Sequence, residues 1–471
     1  MANGDLHDFL AELERLGDLH RVAAEVDPVL EVAAITDRVS KLPNGGKGLL
    51  FERVKGSRFP LVTNVFGSAG RVAAALGAAT LDDLTARMDG LLAAVPPAKT
   101  ASPLEAMASL AEMRRFAPLI VEKASCQEVV EAPDLLRYPF PHSWPGDGGR
   151  FITLPLVVTR DPETNTPNCG MYRVRVVDGA SAGIRWYAGK GGELHCRRHQ
   201  ERGERMPVAV AIGGDPAALL AAILPLPEGF DEMLFAGFLR GRPLELARCR
   251  TSDLLVPAGA ELVLEGYVEP GETVMDGAFG NHTGFYAPAA PVPLMRLTCI
   301  TRRTDCICPA TVVGRPPMED CYLAKAAERL LLPVLRMRWP EIVDINYPLE
   351  WIFNGGAVLS LRECSSSRVR QIVTELWSSG LAGPGRLLVA VDEGTRVDDP
   401  AEVAWRVMNA VDWRTDLIIA ERDAPAAWPG LGSRLAIDAT RSAARRYGAE
   451  ELVPDRETAR RVDSRWREYG F

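Results

Sequence analysis

"MPVAVAIGGDPAALLAAILPLPEGFDE", residues 206–232, passes from an apolar strand pattern into a helix pattern within one continuous stretch. Asp215 occupies the N-cap position of this helix and Pro216 lies in its first turn, and these are the positions that each residue type favours. The alanine-rich body of the helix allows close packing. The stretch therefore predicts a strand that is followed by a tightly packed helix, as in proteins of the α/β and α+β classes.

Further strand patterns lie on both sides of this stretch, between residues 119 and 312. They are separated by short, turn-rich segments such as "DPETNTP". The clearest are "RFITLPLVVTR" (150–160), "GMYRVRVVD" (170–178), "IRWYAG" (184–189), "ELVLEGYVEP" (261–270) and "LMRLTCITR" (294–302). Successive antiparallel strands with short turns predict a barrel-like sheet in the middle of the chain.

The two ends of the chain carry helical patterns. The first helix is amphipathic and stops at Gly17; its apolar positions are Leu6, Phe9, Leu10, Leu13 and Leu16. An Ala-, Pro- and Ser-rich segment at 91–103 is typical of a linker, and beyond residue 313 strand and helix patterns alternate up to a charged helical tail. We therefore predict an α/β (α+β) fold with an N-terminal α/β region at 1–118, a central sheet domain at 119–312 and a C-terminal α/β domain at 313–471.

Composition and motif content argue against several classes of function. The net charge of the 471 residues is −8 and no run of lysine or arginine reaches five, which argues against a nucleic-acid partner. The nine scattered cysteines are typical of reduced thiols, and neither a signal peptide nor an 18-residue apolar run is visible, so we expect a cytoplasmic protein without a membrane span. P-loop, Rossmann and nucleophile-elbow motifs are absent from the sequence.

His195 and His199 have the i, i+4 spacing that lets two imidazoles bind one metal ion from a helix face. Four arginines surround them, and the glutamate of an HExxH motif is missing. We therefore interpret this segment as a solvated basic face, and a zinc site is the alternative.

Three segments with polar residues beside glycines indicate a ligand site. They are "NCGMYR" (168–173), "RWYAGKGG" (185–192) and "PEGFDEMLFAGFLRG" (227–241). Polar groups within apolar strands need partners, because an unpaired polar group is costly to bury. Ion pairs could satisfy each segment separately, but the three together, followed by Asp276 and His282, favour a shared binding site.

These segments, together with "VAIGGDPAALLAAILPLPEGFDE", "FGNHTGFY" and "VVGRPPMED", resemble the UbiD-type decarboxylases that depend on prenylated FMN. The resemblance runs through nearly the whole chain. It implies that the central domain is a split β-barrel that binds the flavin, and that the C-terminal domain mediates homodimers or homohexamers. It also implies decarboxylation of an aromatic, heteroaromatic or α,β-unsaturated carboxylic acid through a covalent adduct with the cofactor, which a flavin prenyltransferase supplies.

The resemblance assigns residues to the cofactor and its metal ions. Asn168 and Glu232 match ligands of a divalent metal, usually manganese, that ties the flavin phosphate to the protein. Glu232 is shared with a monovalent ion, commonly potassium, which main-chain carbonyls near Cys169 and residues 221–224 would complete. The positions that match cofactor contacts are Met171, Tyr172, Arg173, Arg185, Trp186, Tyr187, Lys190 and Gly191. Arg173 also matches the catalytic arginine of the family.

Three positions depart from the family pattern. Gly189 replaces a metal-binding histidine, so either water completes the metal site or Lys190 neutralises part of the phosphate charge. Asp276 replaces the first catalytic glutamate, and Asn281 replaces the acid that donates a proton. An amide has no titratable proton, so another donor is required, and the candidates are His282, protonated Asp276, or a water molecule held by Asn281.

The leading hypothesis is an active decarboxylase, because Arg173 and Asp276 are both retained. Loss of the metal-binding histidine and of the acid favours a second hypothesis, an impaired or accessory homologue that stabilises a multi-subunit carboxylase or decarboxylase. A third is a related flavin enzyme that carries out carboxylation.

Overall fold

The computed structural model describes residues 4–93, 111–352, 355–381, 385–421, 433–440, 448 and 452–470. Within these ranges the chain forms eleven α-helices and several separate sheets, which confirms the predicted mixed α/β class. The predicted linker at 91–103 falls on the end of a helix at residues 91 and 92, and its positions 94–103 lie outside the described residues. The predicted domain boundaries at 118 and 312 stay predictions.

The stretch at 206–232 folds as its sequence predicts. Strand β11 covers Met206–Ile212 and helix α6 covers Pro216–Ile223. The two glycines between them have φ angles of 75° and 102°, a region that favours glycine, so they allow the chain to turn sharply. The side chain of Asp215 accepts a hydrogen bond of 2.8 Å from the backbone N–H of Ala217 and caps the helix.

The central sheet contains nine strands in the order β6-β9-β10-β17-β14-β11-β7-β8, and β5 also pairs with β17. They are β5 Val129–Glu131, β6 Phe151–Ile152, β7 Pro155–Arg160, β8 Pro167–Gly170, β9 Val174–Val176, β10 Ser181–Ile184, β11, β14 Leu262–Met275 and β17 Pro291–Arg302. Within the described strands, β6 and β8 at the two ends of this path do not pair with each other. The predicted barrel-like sheet is therefore built from antiparallel strand pairs, but it is not a closed barrel.

Two helices and two small sheets accompany the central sheet. Helix α5 covers Gly191–Glu201 and α7 covers Glu232–Arg240. One small sheet joins β4 Leu119–Val121, β12 Glu245–Arg248 and β13 Leu255–Pro257, and the other is a hairpin of β15 Phe279–Gly280 and β16 Tyr286–Ala287. The segment "FGNHTGFY", residues 279–286, contains the turn of this hairpin.

The N-terminal region has its own sheet of four strands, ordered β1-β2-β3-β18. The strands are β1 Leu19–Val26, β2 Gly48–Val54, β3 Leu61–Thr63 and β18 Cys308–Pro309, and the helices are α1 Leu6–Arg15, α2 Glu31–Ser40, α3 Ala69–Ala75 and α4 Asp82–Leu92. Strand β18 lies near the end of the predicted central domain in sequence but pairs in parallel with β3. The two regions are therefore joined by a strand as well as by packing.

The C-terminal domain contains a five-stranded sheet in the order β19-β20-β21-β23-β22. Its strands are β19 Ile342–Asn346, β20 Gly356–Leu361, β21 Leu387–Asp392, β22 Leu417–Glu421 and β23 Ser433–Ala439, and its helices are α8 Glu319–Arg338, α9 Ser366–Ser379, α10 Pro400–Ala410 and α11 Arg456–Ser464. These bounds confirm the predicted alternation of strands and helices and the predicted helical tail.

One large hydrophobic core spans the N-terminal and central regions. The predicted apolar face of α1 contributes Leu6, Phe9, Leu10 and Leu13, which are all buried. The same core includes Leu220 of α6 and Phe235 of α7. Within the described residues, no helix has both the length and the apolar composition that crossing a membrane requires.

Candidate active site

A buried ion pair lies where two distant segments of the central domain meet. Arg173 stands between β8 and β9, and Asp276 follows β14 directly. An Nη atom of Arg173 lies 2.7 Å from Oδ2 of Asp276, and their side chains are 8% and 1% exposed. The Nε atom of Arg173 is buried without a hydrogen-bond partner among the described residues. The orientation of Arg173 is therefore fixed, and its Nε donor has no partner among the described residues.

Three further groups hold this pair in place. Arg185 lies 3.3 Å from the same Asp276 oxygen, and the other oxygen accepts a 2.8 Å hydrogen bond from the backbone N–H of Ala290. The guanidinium of Arg173 also lies 4.7 Å from the ring centroid of Phe279, a cation–π contact. Both oxygens of Asp276 are thus engaged as acceptors, and its backbone N–H is bonded to the carbonyl of Ala290 as well.

The turn of the β15–β16 hairpin carries Asn281 and His282. The backbone N–H of Asn281 donates to the carbonyl of Phe285, and the Asn281 side-chain Oδ1 lies 2.8 Å from the backbone nitrogen of His282 and 2.6 Å from its Nδ1. Because an amide oxygen only accepts, Nδ1 of His282 carries the hydrogen in this contact. Burial lowers the pKa of His282 to about 4, so the imidazole is neutral near pH 7.

The segment "SWPGDGG", residues 143–149, supports this hairpin, and the sequence did not suggest it. Oδ1 of Asp147 accepts a 2.6 Å hydrogen bond from the backbone N–H of Gly280, and its other oxygen accepts from Trp144 at 2.9 Å. Burial raises the pKa of Asp147. The only signal available beforehand was an acidic residue within a glycine-rich stretch, and such a stretch is typical of an ordinary surface turn.

A second cluster forms around the N-terminus of α5. Gly191 begins this helix, and a Cβ atom placed there would lie 2.0 Å from Oδ1 of Asn168. The Nδ2 atom of Asn168 is buried without a hydrogen-bond partner among the described residues. Oε2 of Glu232 accepts a 3.0 Å hydrogen bond from the backbone N–H of Cys169, next to Asn168, and burial raises the pKa of Glu232 to about 7. The structure therefore brings both predicted metal ligands to one place.

This second cluster has the chemistry that a flavin phosphate and its metal ion need. A helix N-terminus presents N–H groups to an anion, and Lys190 lies immediately before Gly191, while the N–H of Gly192 already donates to Tyr172. Amide and carboxylate oxygens suit a hard divalent cation. Gly189 has a φ of 75°, which L side chains rarely adopt, and its backbone N–H donates a 3.2 Å hydrogen bond to Oε2 of Glu193. Among the described residues, no group of three or more His, Cys, Asp or Glu side chains could hold a metal ion.

The remaining predicted cofactor residues connect the two clusters. The rings of Tyr172 and Trp186 lie 4.8 Å apart, edge to face, and the hydroxyl of Tyr172 accepts a hydrogen bond of 3.1 Å from the N–H of Gly192. The backbone N–H of Arg185 donates to the carbonyl of Arg173 at 3.1 Å. Three predicted cofactor residues are placed less tightly: Met171 is half-buried against the hydrophobic core, and Tyr187 and Lys190 are exposed.

The interpretation of His195 and His199 as part of a solvated face is wrong. Both lie on the buried side of α5, with exposures of 4% and 8%. Nδ1 of His195 lies 2.9 Å from the Thr159 hydroxyl, and Nε2 of His199 lies 3.3 Å from the carbonyl of Arg160. The arginines between them gave the segment a polar composition, but a helix buries one face whatever the average polarity of its sequence.

Comparison with known protein families gives one consistent match along the chain. Three models of 3-octaprenyl-4-hydroxybenzoate carboxy-lyase (UbiD) match it: the N-terminal domain at residues 10–88, the Rift-related domain at 119–316 and the C-terminal domain at 321–439. A protein of Archaeoglobus fulgidus is 43% identical over 99% of both chains, and one of Aquifex aeolicus is 37% identical over the same shares.

Solved structures agree with the family match. An evolved dimeric form of the UbiD-class enzyme HmfF from Pelotomaculum thermopropionicum, in complex with prFMN, is 28% identical with a TM-score of 0.80, covering 93% of this chain and 95% of that one. The closed form of vanillic acid decarboxylase from Sedimentibacter hydroxybenzoicus is 26% identical with a TM-score of 0.86 over the full length of both chains.

Proposed function

The chain belongs to the UbiD family of carboxy-lyases, and from that membership we propose that it removes CO2 from an aromatic, heteroaromatic or α,β-unsaturated carboxylic acid with prenylated FMN as cofactor. The observation that carries this proposal is the buried pair of Arg173 and Asp276, with a free Nε donor on the arginine. A guanidinium held in this way presents a rigid fork that matches a carboxylate. Arg173 would thus hold the substrate carboxylate, and Asp276 would orient Arg173.

Prenylated FMN would be held at the N-terminus of α5. Lys190 and the backbone N–H of Gly191 would bind its phosphate, while Tyr172 and Trp186 would pack beside it. When bound, the cofactor supplies the electron sink for the reaction. The protein supplies orientation, exclusion of water and a proton.

Asn168 and Glu232 would hold a divalent metal ion, manganese being the expected one, and Glu232 would also contact a potassium ion. With two side-chain ligands rather than three, water has to complete the shell, and the Lys190 ammonium would carry part of the charge balance against the phosphate. We expect binding of the divalent ion to be weaker than at a site with three side-chain ligands.

The carbon that loses CO2 must take up a proton, and we assign its delivery to a water molecule held by Asn281. The contact of 2.6 Å between the Asn281 amide oxygen and His282 supports this choice, because it fixes the orientation of the amide, whose N–H2 group can donate to water. Direct donation by an imidazolium is disfavoured, since burial keeps His282 neutral at pH 7. Donation by Asp276 is disfavoured because its oxygens already accept from Arg173, Arg185 and Ala290.

We further propose a homodimer or homohexamer, and a flavin prenyltransferase that supplies the cofactor. The relative HmfF has a dimeric form and was solved with prFMN, which supports both points. An impaired or accessory subunit remains the alternative hypothesis. The intact Arg173–Asp276 pair favours catalysis over that alternative, because an inactive subunit has no use for a buried arginine that is ready to bind an anion.

The test is co-expression with a flavin prenyltransferase, followed by incubation with a panel of aromatic and heteroaromatic acids. We expect flavin absorbance in the purified protein, release of CO2 from at least one acid, and no release by the Arg173→Ala variant. Absence of both flavin absorbance and CO2 release across the panel would refute the proposal. Copurification of an inactive protein with a second chain would favour the accessory alternative.

A further inference from the structure

Asp147 stands outside the residues assigned so far, yet it holds the backbone next to Asn281. It is 8% exposed. One carboxylate oxygen accepts from the N–H of Gly280 at 2.6 Å and the other accepts from the N–H of Trp144 at 2.9 Å. Gly280 immediately precedes Asn281, so this carboxylate sets where the hairpin turn begins.

The neighbours of Asp147 reinforce the same contact. The N–H of Gly148 donates to the carbonyl of Ala278 at 2.7 Å, and the N–H of Gly146 donates to the Tyr286 hydroxyl at 2.9 Å on the far strand of the hairpin. A Cβ atom on Gly280 would lie 2.1 Å from Cδ1 of Trp144, so the hairpin also packs directly against the indole ring. The segment at 143–149 therefore contacts both strands of the hairpin.

Asp276 touches this segment through its backbone, because a Cβ atom on Gly148 would lie 3.0 Å from the Asp276 carbonyl oxygen, but its side chain has other partners. Its side chain is held by Arg173 and Arg185, and its N–H and one carboxylate oxygen are both bonded to Ala290. The side-chain hydrogen bonds of the two halves of the candidate site thus differ: Ala290 and the arginines hold the carboxylate of Asp276, and Asp147 holds the backbone next to Asn281, while Phe279 contacts Arg173 and links the two halves.

We propose that Asp147 is a positioning residue for proton delivery, which holds the Asn281–His282 turn at a fixed distance from the substrate clamp. The inference rests on the proposed decarboxylation, and it adds that substrate binding and proton delivery depend on different hydrogen bonds. Weakening the Asp147 contact should slow the step that needs Asn281 and leave binding of the substrate carboxylate nearly unchanged. Asp147 acts through Gly280 and does not itself touch substrate.

The test compares Asp147→Asn with a matched control, Glu265→Gln, in the full-length protein. Glu265 is 0% exposed and also accepts from two backbone N–H groups, those of Arg250 and Thr251, but at another loop. For Asp147→Asn we expect kcat to fall at least about tenfold, KM to stay within about twofold and the flavin spectrum to be unchanged. We expect Glu265→Gln to change thermal stability without this split between kcat and KM.

Amide hydrogen exchange provides a readout that needs no activity. In Asp147→Asn, exchange should accelerate at least about tenfold in the peptide 276–287 and stay unchanged at 250–251, and Glu265→Gln should show the reverse pattern.

If Asp147→Asn does not fold, Tyr286→Phe removes the partner of Gly146 at a half-exposed side chain and should give a smaller change in the same direction. Unchanged exchange at 276–287, or equal losses of kcat in the Asp147 and Glu265 variants, overturns the inference. A wild-type protein that is inactive on every acid refutes the proposed decarboxylation, while the exchange result still decides whether Asp147 orders the turn.

Discussion

At the scale of single residues, the Arg173–Asp276 pair provides the first prediction. Asp276→Asn would leave two guanidinium groups, on Arg173 and Arg185, facing a neutral amide in a buried site. We expect the free energy of unfolding to fall by about 3 kcal/mol and kcat/KM to fall by more than about a hundredfold. Chemical denaturation and steady-state kinetics measure the two effects. The control is Glu204→Gln, which breaks an exposed pair with Arg202 and should leave both quantities unchanged.

The arginine itself provides a separate prediction. Arg173→Lys keeps the charge but loses the planar fork, so we expect KM to rise and kcat/KM to fall by about a hundredfold. Binding of a non-reactive carboxylate, measured by calorimetry, should weaken in parallel. Equal affinity for the carboxylate in wild type and variant would show that Arg173 does not hold that group.

The turn residues predict a characteristic pH dependence. Because burial lowers the pKa of His282 to about 4, this imidazole should contribute no change in rate near its ordinary pKa of 6.5. Asn281→Asp adds a titratable acid, so its rate should fall as the pH rises through the pKa of the new carboxyl. His282→Ala should lower kcat while leaving the flavin spectrum intact. A rate limb near pH 6.5 that disappears in His282→Ala would show that the imidazolium is the donor after all.

At the scale of elements, the close packing at the start of α5 provides a prediction about cofactor binding. Gly191→Ala would place a Cβ atom 2.0 Å from Oδ1 of Asn168, so we expect loss of flavin absorbance after co-expression with the prenyltransferase. Gly90→Ala in α4 is the matched control, because a Cβ there meets nothing within 4 Å and alanine favours a helix. Full flavin loading of Gly191→Ala would mean that Asn168 and α5 can separate without cost to the cofactor site.

Glu232, which begins α7 and accepts a hydrogen bond from Cys169 of β8, provides a prediction about metal binding. Glu232→Gln should weaken Mn²⁺ binding by at least about tenfold, measured by calorimetry on the purified protein. Glu228→Gln is the control, since that side chain is 60% exposed and paired with Arg198 just before the same helix. An unchanged affinity in Glu232→Gln would place the metal elsewhere.

At the scale of the whole molecule, the chain divides into packed regions that share strands and core residues. The N-terminal sheet is completed by β18, which lies near the end of the predicted central domain, and the largest core of the described residues combines α1 with α6 and α7. The C-terminal helix α11 differs, because none of its described residues is buried and Trp466 beyond it is 51% exposed. We expect that removing residues 455–471 reduces the size of the oligomer in light scattering but leaves the thermal midpoint of the remaining chain unchanged. An unchanged oligomer would show that this helix does not dock on a partner subunit.

The sequence by itself determined the order of strands and helices, the capped helix that begins at Pro216, and the residue types available for the site, because these depend on neighbours within a few positions. Only the tertiary structure revealed the support that Asp147 gives Gly280, since the two residues are 133 positions apart in the chain. It also decided that His195 and His199 are buried and that His282 is neutral, because desolvation depends on which distant segments cover a side chain. Local patterns therefore specified the elements, and long-range contacts specified the chemistry of the residues within them.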